Sequence, residues 1–375
     1  MIAAPTPIQR RTTARLLRMD AQGTLVHSHR YDLASFIHKN DVVIANDAAT
    51  LPASLRAIHE RTGQVIEVRL AGRRSLNPKD ASHFNAVLFG AGNYRTRTEH
   101  RPLPPVVHVG DRLSMGAITA VIESVLGHAR YVELRFDAAS AVVWELLATH
   151  GRPIQYAHVS QPLKLWDVWT PVAASPVAFE APSAGFALDW SLLARLREKG
   201  ATFATLTHAA GISSTGDAEL DQRLPFDEPY FIPPRTAAAI ERARACGARI
   251  IAIGTTVVRA LEHAAWVRGR VMPGAGMATQ RIGAQTRLRV VDALVSGTHE
   301  MGTSHYELLR AFVSDEALSK LTSELDAQNY LTHEFGDSIL IEIEQARESV
   351  RMSGASRADA VPELRKATTA ECVLC

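Results

Sequence analysis

One stretch in the second half of the chain constrains the fold more than any other. Residues 249–262 read Arg-Ile-Ile-Ala-Ile-Gly-Thr-Thr-Val-Val-Arg-Ala-Leu-Glu, so an apolar strand leads into a polar turn and then a helical pattern. The first N–H groups of such a helix lack intrahelical acceptors and favour a carboxylate or phosphate. The pattern therefore predicts a ligand site at Gly254, Thr255 and Thr256, although an ordinary strand-to-helix connection with a threonine cap has the same sequence.

Two charged residues follow this turn. Arg259 and Glu262 lie about one helical turn apart and share a face. We expect Arg259 either to bind a ligand carboxylate through two of its guanidinium nitrogens or to pair with Glu262.

Composition indicates a globular protein without a strong charge bias. The chain has 375 residues, of which 46% are hydrophobic and 21% charged, and this length is typical of about two domains. A net charge of +2 gives no whole-chain argument for nucleic-acid binding. Neither an apolar segment of membrane-spanning length nor a signal-peptide core at Met1–Arg18 is evident, so we expect a cytoplasmic protein with no membrane contact.

The cysteines do not predict a disulfide framework, because the chain has only Cys246, Cys372 and Cys375. Cys372 and Cys375 match both a C-x-x-C pair and a prenylation box, but neither match has supporting context. The region 346–375 is rich in small and polar residues and is predicted to be a flexible tail.

The first half of the chain predicts a buried strand followed by a strand-rich region. The strand at 41–45 ends at Asn46 and Asp47. Four alternating runs follow, at 65–70, 84–89, 117–122 and 131–136, separated by turn residues. Short strands of this kind are typical of an antiparallel sheet or small barrel.

Several arginines fall in the predicted loops of this region. They are Arg73, Arg74, Arg95, Arg97 and Arg101. They are candidates for contacts with phosphates, although solvated loops commonly carry such residues.

The second half alternates strands with helices, which favours an α/β domain. Polar turns recur at predicted strand ends, where α/β proteins bind ligands. In chain order, the pattern comprises Asp41-Val-Val-Ile-Ala-Asn-Asp47 with Leu51-Pro-Ala53, Ala181-Pro-Ser-Ala-Gly185, Leu206-Thr-His208, Gly254-Thr-Thr-Val-Val-Arg-Ala-Leu-Glu262, His299 with Ala311-Phe312, and Phe335-Gly-Asp-Ser338.

In this order, these segments resemble the S-adenosylmethionine:tRNA ribosyltransferase-isomerase family, which makes epoxyqueuosine. The resemblance extends from about Tyr31 to Ile341. It implies a large α/β domain interrupted by a smaller antiparallel β-barrel domain. Accordingly, we expect an α/β catalytic domain formed by residues 1–55 and 137–345 and an inserted barrel at 56–136.

The resemblance also implies an activity. Such enzymes use S-adenosylmethionine as a ribosyl donor: its rearranged ribose joins the amine of 7-aminomethyl-7-deazaguanine in tRNA, while adenine and methionine leave. The sulfonium acidifies the adjoining ribosyl carbon, so a base can remove a proton there. The scheme requires no metal.

The same resemblance assigns roles to residues. Catalytic candidates are His208, Ser183 and His299. Residues expected to bind S-adenosylmethionine are Asn46, Asp47, Gly185, Gly254, Thr255, Thr256, Arg259 and Asp337. Each has a simpler structural interpretation as well: histidines can lie in the core, aspartates can cap turns, and Ser183 can be a small turn residue.

Some family side chains are replaced in this chain. Ala187 stands where the family has histidine, and Ala49 and Ser54 stand where it has arginines. The exchanges preserve backbone motifs and remove groups that bind or ionise, so the substrate can differ. Two alternatives therefore stay open: a paralogue acting on S-adenosylmethionine with a small-molecule acceptor, and an inactive nucleotide- or tRNA-binding protein.

Overall fold

A computed structural model of the protein describes residues 1–344. The tail predicted at 346–375, including Cys372 and Cys375, lies outside these residues. Nine strands of the described chain form a mixed sheet. In spatial order they are β16 (Gly274–Ala278), β14 (Glu228–Ile232), β13 (Thr202–His208), β4 (Val42–Asn46), β15 (Ile250–Ile253), β17 (Ala293–Gly297), β19 (Ser338–Glu342), β2 (Arg15–Met19) and β3 (Leu25–His29).

The centre of this sheet is parallel. Strand β4 pairs in parallel with β13 on one side and β15 on the other, and β15 pairs in parallel with β17. Since parallel strands end at the same edge of a sheet, Asn46, His208, Gly254 and Gly297 come together there.

Six further strands within residues 1–344 close into an antiparallel barrel. In order around the barrel they are β10 (Ile118–His128), β11 (Tyr131–Phe136), β8 (His83–Phe89), β7 (Gln64–Gly72), β6 (Ser54–His59) and β9 (Arg112–Met115). Two short parallel pairs complete the strands: β1 (Ile2–Ala3) with β18 (Leu331–Thr332), and β5 (Ala48–Thr50) with β12 (Ser175–Ala178).

Helices pack both on the large sheet and on the barrel. They are α1 (Ser140–His150), α2 (Leu165–Val168), α3 (Trp190–Glu198), α4 (Ala218–Asp221), α5 (Pro234–Ala245), α6 (Thr255–Arg268), α7 (Ser304–Leu309) and α8 (Asp315–Ala327), with 3₁₀ turns at Arg30–Phe36, Thr98–His100 and Ser183–Ala187. Within residues 1–344, none of them combines the length and apolar character that crossing a membrane would need.

Alternation along β4 explains the layering. Val42 and Ile44 pack into the core shared with α5, α6 and α8, whereas Val43 and Ala45 pack into the core shared with α3 because successive strand residues face opposite ways. The barrel has its own core, which includes Val68, Leu70, Phe84, Leu88, Ile122 and Leu134.

The fold class predicted from the sequence is confirmed: a larger α/β part accompanies a closed antiparallel barrel. The chain leaves the large sheet after β4, forms the barrel, and returns to pair β13 beside β4. The domain limits at residues 55 and 137 remain a prediction.

Candidate active site

The Gly254 turn has a conformation that favours glycine. Gly254 has a φ of 100°, a backbone conformation that residues other than glycine rarely adopt. Its N–H donates to Val295 O at 2.8 Å, which ties the turn to β17. A Cβ at this position would lie 3.4 Å from Ala184 Cβ, so the 3₁₀ turn Ser183–Ala187 packs directly against it.

Asn46 joins the ends of two strands to the start of a helix. Its buried amide donates from Nδ2 to His208 O at 2.9 Å and to Thr256 Oγ1 at 3.3 Å, and its Oδ1 accepts from His208 N at 3.0 Å. Because both ends of the amide are engaged, Asn46 fixes the spacing between β4, β13 and the start of α6. These contacts position the three elements, and donor binding by Asn46 stays a prediction.

The two aspartates predicted to bind the donor have protein partners. Asp47 Oδ1 accepts from Thr207 Oγ1 at 2.6 Å. The buried Asp337 carboxylate accepts from the backbone N–H groups of Arg15 and Leu331 and from the side chains of Arg11 and Arg15. Asp337 therefore secures the turn between β18 and β19.

Arg259 pairs with Glu228 rather than with Glu262. Both side chains are buried, and Arg259 Nη1 donates to Glu228 Oε2. The other guanidinium nitrogens donate to the carbonyls of Phe226, Ala278 and Gln280. Glu262 instead accepts from the backbone N–H groups of residues 289–291.

His208 lies beneath the site and is fully buried. Burial, followed by the positive charge of Arg259, lowers the pKa of His208 well below its ordinary value. The ring is therefore neutral, and its 3.4 Å approach to Glu228 Oε2 is not an ion pair. Among protein atoms of the described chain, neither ring nitrogen of His208 has a hydrogen-bond partner.

The remaining predicted residues occupy the surrounding turns. A Cβ at buried Gly185 would lie 2.8 Å from Thr170 Cγ2, so Gly185 permits close packing. Ser183 begins the turn that packs on Gly254.

His299 Nε2 lies 3.0 Å from Ser296 Oγ, and its ring stacks on that of His305 at 4.7 Å. Burial lowers the pKa of His299 well below its ordinary value, and His305 and His333 lower it further.

A cavity opens at the start of α6, which we call the elbow cavity. It has a volume of about 70 Å³. The residues that bear polar side chains on its wall are Glu180, Ser213, Glu228, Thr255, Thr256, Arg259, Ser304 and His305. Three of the predicted residues, Thr255, Thr256 and Arg259, thus share one cavity wall.

Glu180 was not identified from the sequence. It follows β12, and its Oε1 accepts from Tyr156 Oη at 2.5 Å. Burial raises the pKa of Glu180 to about 7, although hydrogen bonds from Ser213 and Tyr156 oppose the shift. A carboxyl group with this pKa can accept or donate a proton near neutral pH. The sequence signal that could have identified Glu180 is its position just after a strand and before Ala181-Pro-Ser, because α/β proteins bind ligands at strand ends.

Glu180 also lines a second, smaller cavity with Tyr156, His158 and Glu334. Through Gln155 and Leu163, that cavity adjoins a third one of about 530 Å³, which we call the barrel-side cavity. The barrel-side cavity lies against β6 and β7, and its polar wall residues include Arg56, Glu67, Asn93, Tyr94 and Arg152. The three cavities form a series from the start of α6 to the barrel.

The five arginines of the barrel loops divide into two groups. Arg73 and Arg101 are buried; Arg73 donates to the carbonyls of Asn77 and Asp80, and Arg101 pairs with Glu67. Arg74, Arg95 and Arg97 are exposed, and Arg74 pairs with Glu133. In this conformation, only the second group presents guanidinium groups at the surface.

Comparisons with known proteins cover almost all of the described chain. The family model for "Queuosine biosynthesis protein" matches residues 1–341. The chain is 32% identical over 367 residues to an S-adenosylmethionine:tRNA ribosyltransferase-isomerase of Sorangium cellulosum, covering 91% of this chain and 95% of the relative. It is 29% identical over 361 residues to the protein of that name from Methylobacterium sp., covering 91% and 95%.

A solved structure of S-adenosylmethionine tRNA ribosyltransferase from Thermotoga maritima is similar to this chain, with 21% identity and a TM-score of 0.48, over 91% of this chain and 96% of the other. The family match and the relative at 32% identity each span most of the chain. On these matches, the chain belongs to the queuosine biosynthesis protein family.

Proposed function

We propose that this protein transfers and isomerises the ribosyl part of S-adenosylmethionine onto 7-aminomethyl-7-deazaguanine in tRNA, giving epoxyqueuosine and releasing adenine and methionine. Names of relatives at 28–32% identity point to a transferase that uses this donor and tRNA. The observation that carries the proposal to this chain is the elbow cavity, where the start of α6 faces a carboxyl group poised to exchange a proton.

The start of α6 offers the donor a polar anchor. The N–H groups of its first residues lack intrahelical acceptors and favour the donor's carboxylate. Thr255 and Thr256 line the elbow cavity and add hydroxyl groups. Arg259 is held by Glu228 and three carbonyls. We therefore assign it an indirect role, in which its positive charge stabilises the wall of the elbow cavity.

Glu180 is the proposed base. Ionised Glu180 removes a proton from the ribosyl carbon next to the sulfonium, whose positive charge stabilises the carbanion. The bonds from the ribosyl unit to adenine and to methionine sulfur then break, as does the bond between its first carbon and the ring oxygen. That carbon bonds to the acceptor amine and to the deprotonated carbon, the ring oxygen closes the epoxide, and the proton displaced from the amine passes to the departing adenine. His208 is absent from the elbow-cavity wall, and we assign it a positioning role.

The size of the elbow cavity implies movement. Its volume of about 70 Å³ is below the roughly 300–1,000 Å³ typical of small-molecule sites. Binding a whole donor therefore requires the walls of this cavity to move apart. The barrel-side cavity is large enough for a base entering from the other direction, and the second cavity, which Glu180 lines, shares wall residues with both of the others.

A second candidate function is favoured by the arginines. Burial of Arg73 and Arg101 removes two of the five predicted phosphate contacts. With fewer contacts, electrostatic attraction to tRNA is weaker. A paralogue that uses S-adenosylmethionine with a small-molecule acceptor in the barrel-side cavity accounts for this observation.

The test is incubation of purified protein with S-adenosylmethionine, with and without tRNA carrying 7-aminomethyl-7-deazaguanine. Mass spectrometry follows adenine, methionine and the modified nucleoside. Adenine release only with tRNA, with the matching mass gain on the nucleoside, supports the proposal. Release without tRNA supports the small-molecule alternative, and no release in either sample contradicts both.

A further inference from the structure

Two histidines and a glutamate converge beside Glu180. His158, His333 and Glu334 each offer a ligand atom, and these atoms lie within 4.8 Å of one another. His158 Nε2 lies 3.0 Å from Glu334 Oε2, and the rings of His158 and His333 stack at 4.3 Å between centroids. Among residues 1–344, these residues form the cluster whose geometry can hold a metal ion.

The turn that carries two of these residues is tightly constrained. It runs from β18 to β19; Leu331 N donates to the Asp337 carboxylate at 2.9 Å, and Gly336 N donates to His333 O at 2.9 Å. A Cβ at Gly336 would lie 2.4 Å from Leu331 O, so only glycine fits the turn. Side chains held by such a turn keep their positions, as metal ligands require.

His333 adopts an unusual backbone conformation. Its φ is 67°, a left-handed value that residues other than glycine rarely adopt. Conformations of this kind concentrate at ligand and catalytic sites. His333 Nε2 also lies 3.7 Å from a Glu300 carboxylate oxygen, and a carboxylate beside a ligand histidine is usual at metal sites.

We propose that His158, His333 and Glu334 bind a divalent transition-metal ion of the Zn²⁺ type, with a coordination position left open toward the cavity lined by Glu180. Two imidazoles and one carboxylate are a common ligand set for zinc sites that bind a further group. Tetrahedral ligands at zinc lie about 3.4 Å apart, so ligand atoms that now lie within 4.8 Å of one another must approach, and the stacked rings of His158 and His333 must tilt until a nitrogen of each points at the ion.

The exposure of the three side chains is compatible with metal binding. The side chains of His158, Glu334 and His333 are 15%, 29% and 36% exposed, so the ligands are shielded while an ion can still enter. His158 and Glu334 line the same cavity as Glu180. The open position would therefore face the proposed reaction site, but binding itself does not depend on the transfer reaction.

The test measures metal binding without donor or tRNA. It uses the full chain without a histidine tag, in a background carrying C372S and C375S, because paired thiolates bind Zn²⁺. Chelator-treated protein is equilibrated with Zn²⁺ and desalted, and bound metal is measured by mass spectrometry. We expect about one equivalent. Less than about half an equivalent overturns the proposal.

Variants locate the ion. H158A and H333A are each expected to weaken Zn²⁺ binding by about 100-fold or more, because each removes a ligand. The matched control is H27A, since His27 lies 3.0 Å from Glu324 in a pair like that of His158 and Glu334. Unchanged affinity in H158A and H333A, or an equal loss in H27A, overturns the proposal.

A spectroscopic measurement covers the case in which an alanine variant does not fold. Co²⁺ substituted into the protein should give visible bands of four- or five-coordinate metal with nitrogen and oxygen ligands. These bands should be lost in E334Q, which retains the shape of the side chain. Bands that persist in E334Q, or a spectrum of hydrated Co²⁺ in the parent protein, contradict the site.

Discussion

At the residue scale, the surroundings of Glu180 shift the pKa of its carboxyl group into the neutral range. Burial favours its neutral form, whereas hydrogen bonds from Ser213 and Tyr156 favour the ionised form. The resulting pKa of about 7 lets one group remove a proton and later release it at neutral pH. Tyr156 is suited to donate rather than lose its proton, because burial and Glu180 raise its pKa.

This pKa predicts the pH dependence of turnover. A base must be deprotonated, so kcat/KM should rise with pH up to about 7 and level off above it. The other titratable or charged groups on the two cavity walls are Tyr156, His158, Glu228, Arg259, His305 and Glu334. E180Q should lower kcat by about 100-fold or more and remove the inflection. An inflection unchanged in E180Q would refute the assignment.

The buried Arg259–Glu228 pair predicts a large effect on stability. E228Q leaves the guanidinium charge of Arg259 buried without a carboxylate, which should lower the free energy of unfolding by about 3 kcal/mol. The solvent-accessible pair of Arg310 and Glu307, at 2.8 Å, is the control, and E307Q should leave the free energy of unfolding nearly unchanged because water screens such pairs. Urea unfolding measures both. Equal losses would show that the buried pair is not a structural anchor.

Sequence periodicity located some of these residues but could not find their partners. It placed Arg259 next to Glu262 because helical neighbours are readable from spacing, whereas the actual partner, Glu228, lies on β14, 31 positions earlier. Glu180 similarly meets Tyr156 and Ser213 only through tertiary packing. Such contacts depend on how strands are ordered in the sheet, which local patterns do not specify.

At the element scale, helix α6 is defined by a glycine at each end. Gly254 precedes it with a φ of 100°, and Gly269 follows it with a φ of 73°. Gly254 lies against Ala184, while a Cβ at Gly269 would meet nothing within 4 Å. Both ends therefore have a strained backbone, but only Gly254 lies close to the proposed donor site.

Substitution at the two ends separates strain from function. G254A and G269A should each lower stability by about 1–2 kcal/mol, because alanine disfavours positive φ. Only G254A should also weaken S-adenosylmethionine binding, by about tenfold, since it displaces the first N–H groups of α6. Thermal unfolding and calorimetric titration measure the two effects. Equal donor affinity in both variants would contradict binding at this turn.

Elements with a clear period were predictable from the sequence. The runs at 65–70, 84–89 and 131–136 correspond to β7 (Gln64–Gly72), β8 (His83–Phe89) and β11 (Tyr131–Phe136). The strands that close the barrel, β6 (Ser54–His59) and β9 (Arg112–Met115), were not identified. β9 has only four residues, and β6 buries His59 while exposing Ile58, so closure depends on pairing across the barrel rather than on local hydrophobicity.

At the scale of the whole molecule, the series of cavities joins the α/β part to the barrel. The elbow cavity meets the second cavity at Glu180, and the second meets the barrel-side cavity at Gln155 and Leu163. This arrangement suits a reaction with two substrates, in which the donor is held at the sheet edge and the acceptor approaches from the barrel. The exposed Arg95 and Arg97 follow the segment that contributes Asn93 and Tyr94 to the barrel-side wall.

These arginines predict how tRNA binding responds to salt. R95Q/R97Q should weaken tRNA binding and reduce the slope of log K against log salt by roughly 1 per lost phosphate contact. The control is R268Q/R270Q, which removes exposed arginines at the far end of α6. Filter binding at several salt concentrations gives both slopes. Equal changes in the two variants would favour a small-molecule acceptor.

The most direct test of the central claim is a crystal structure of the protein with S-adenosylmethionine. The donor should occupy an opened elbow cavity, with its carboxylate at the N–H groups that begin α6. The ribosyl carbon next to sulfur should lie about 3–3.5 Å from the Glu180 carboxylate. Donor bound elsewhere on the protein, or bound with Glu180 facing away from that carbon, would contradict the proposed donor site and base.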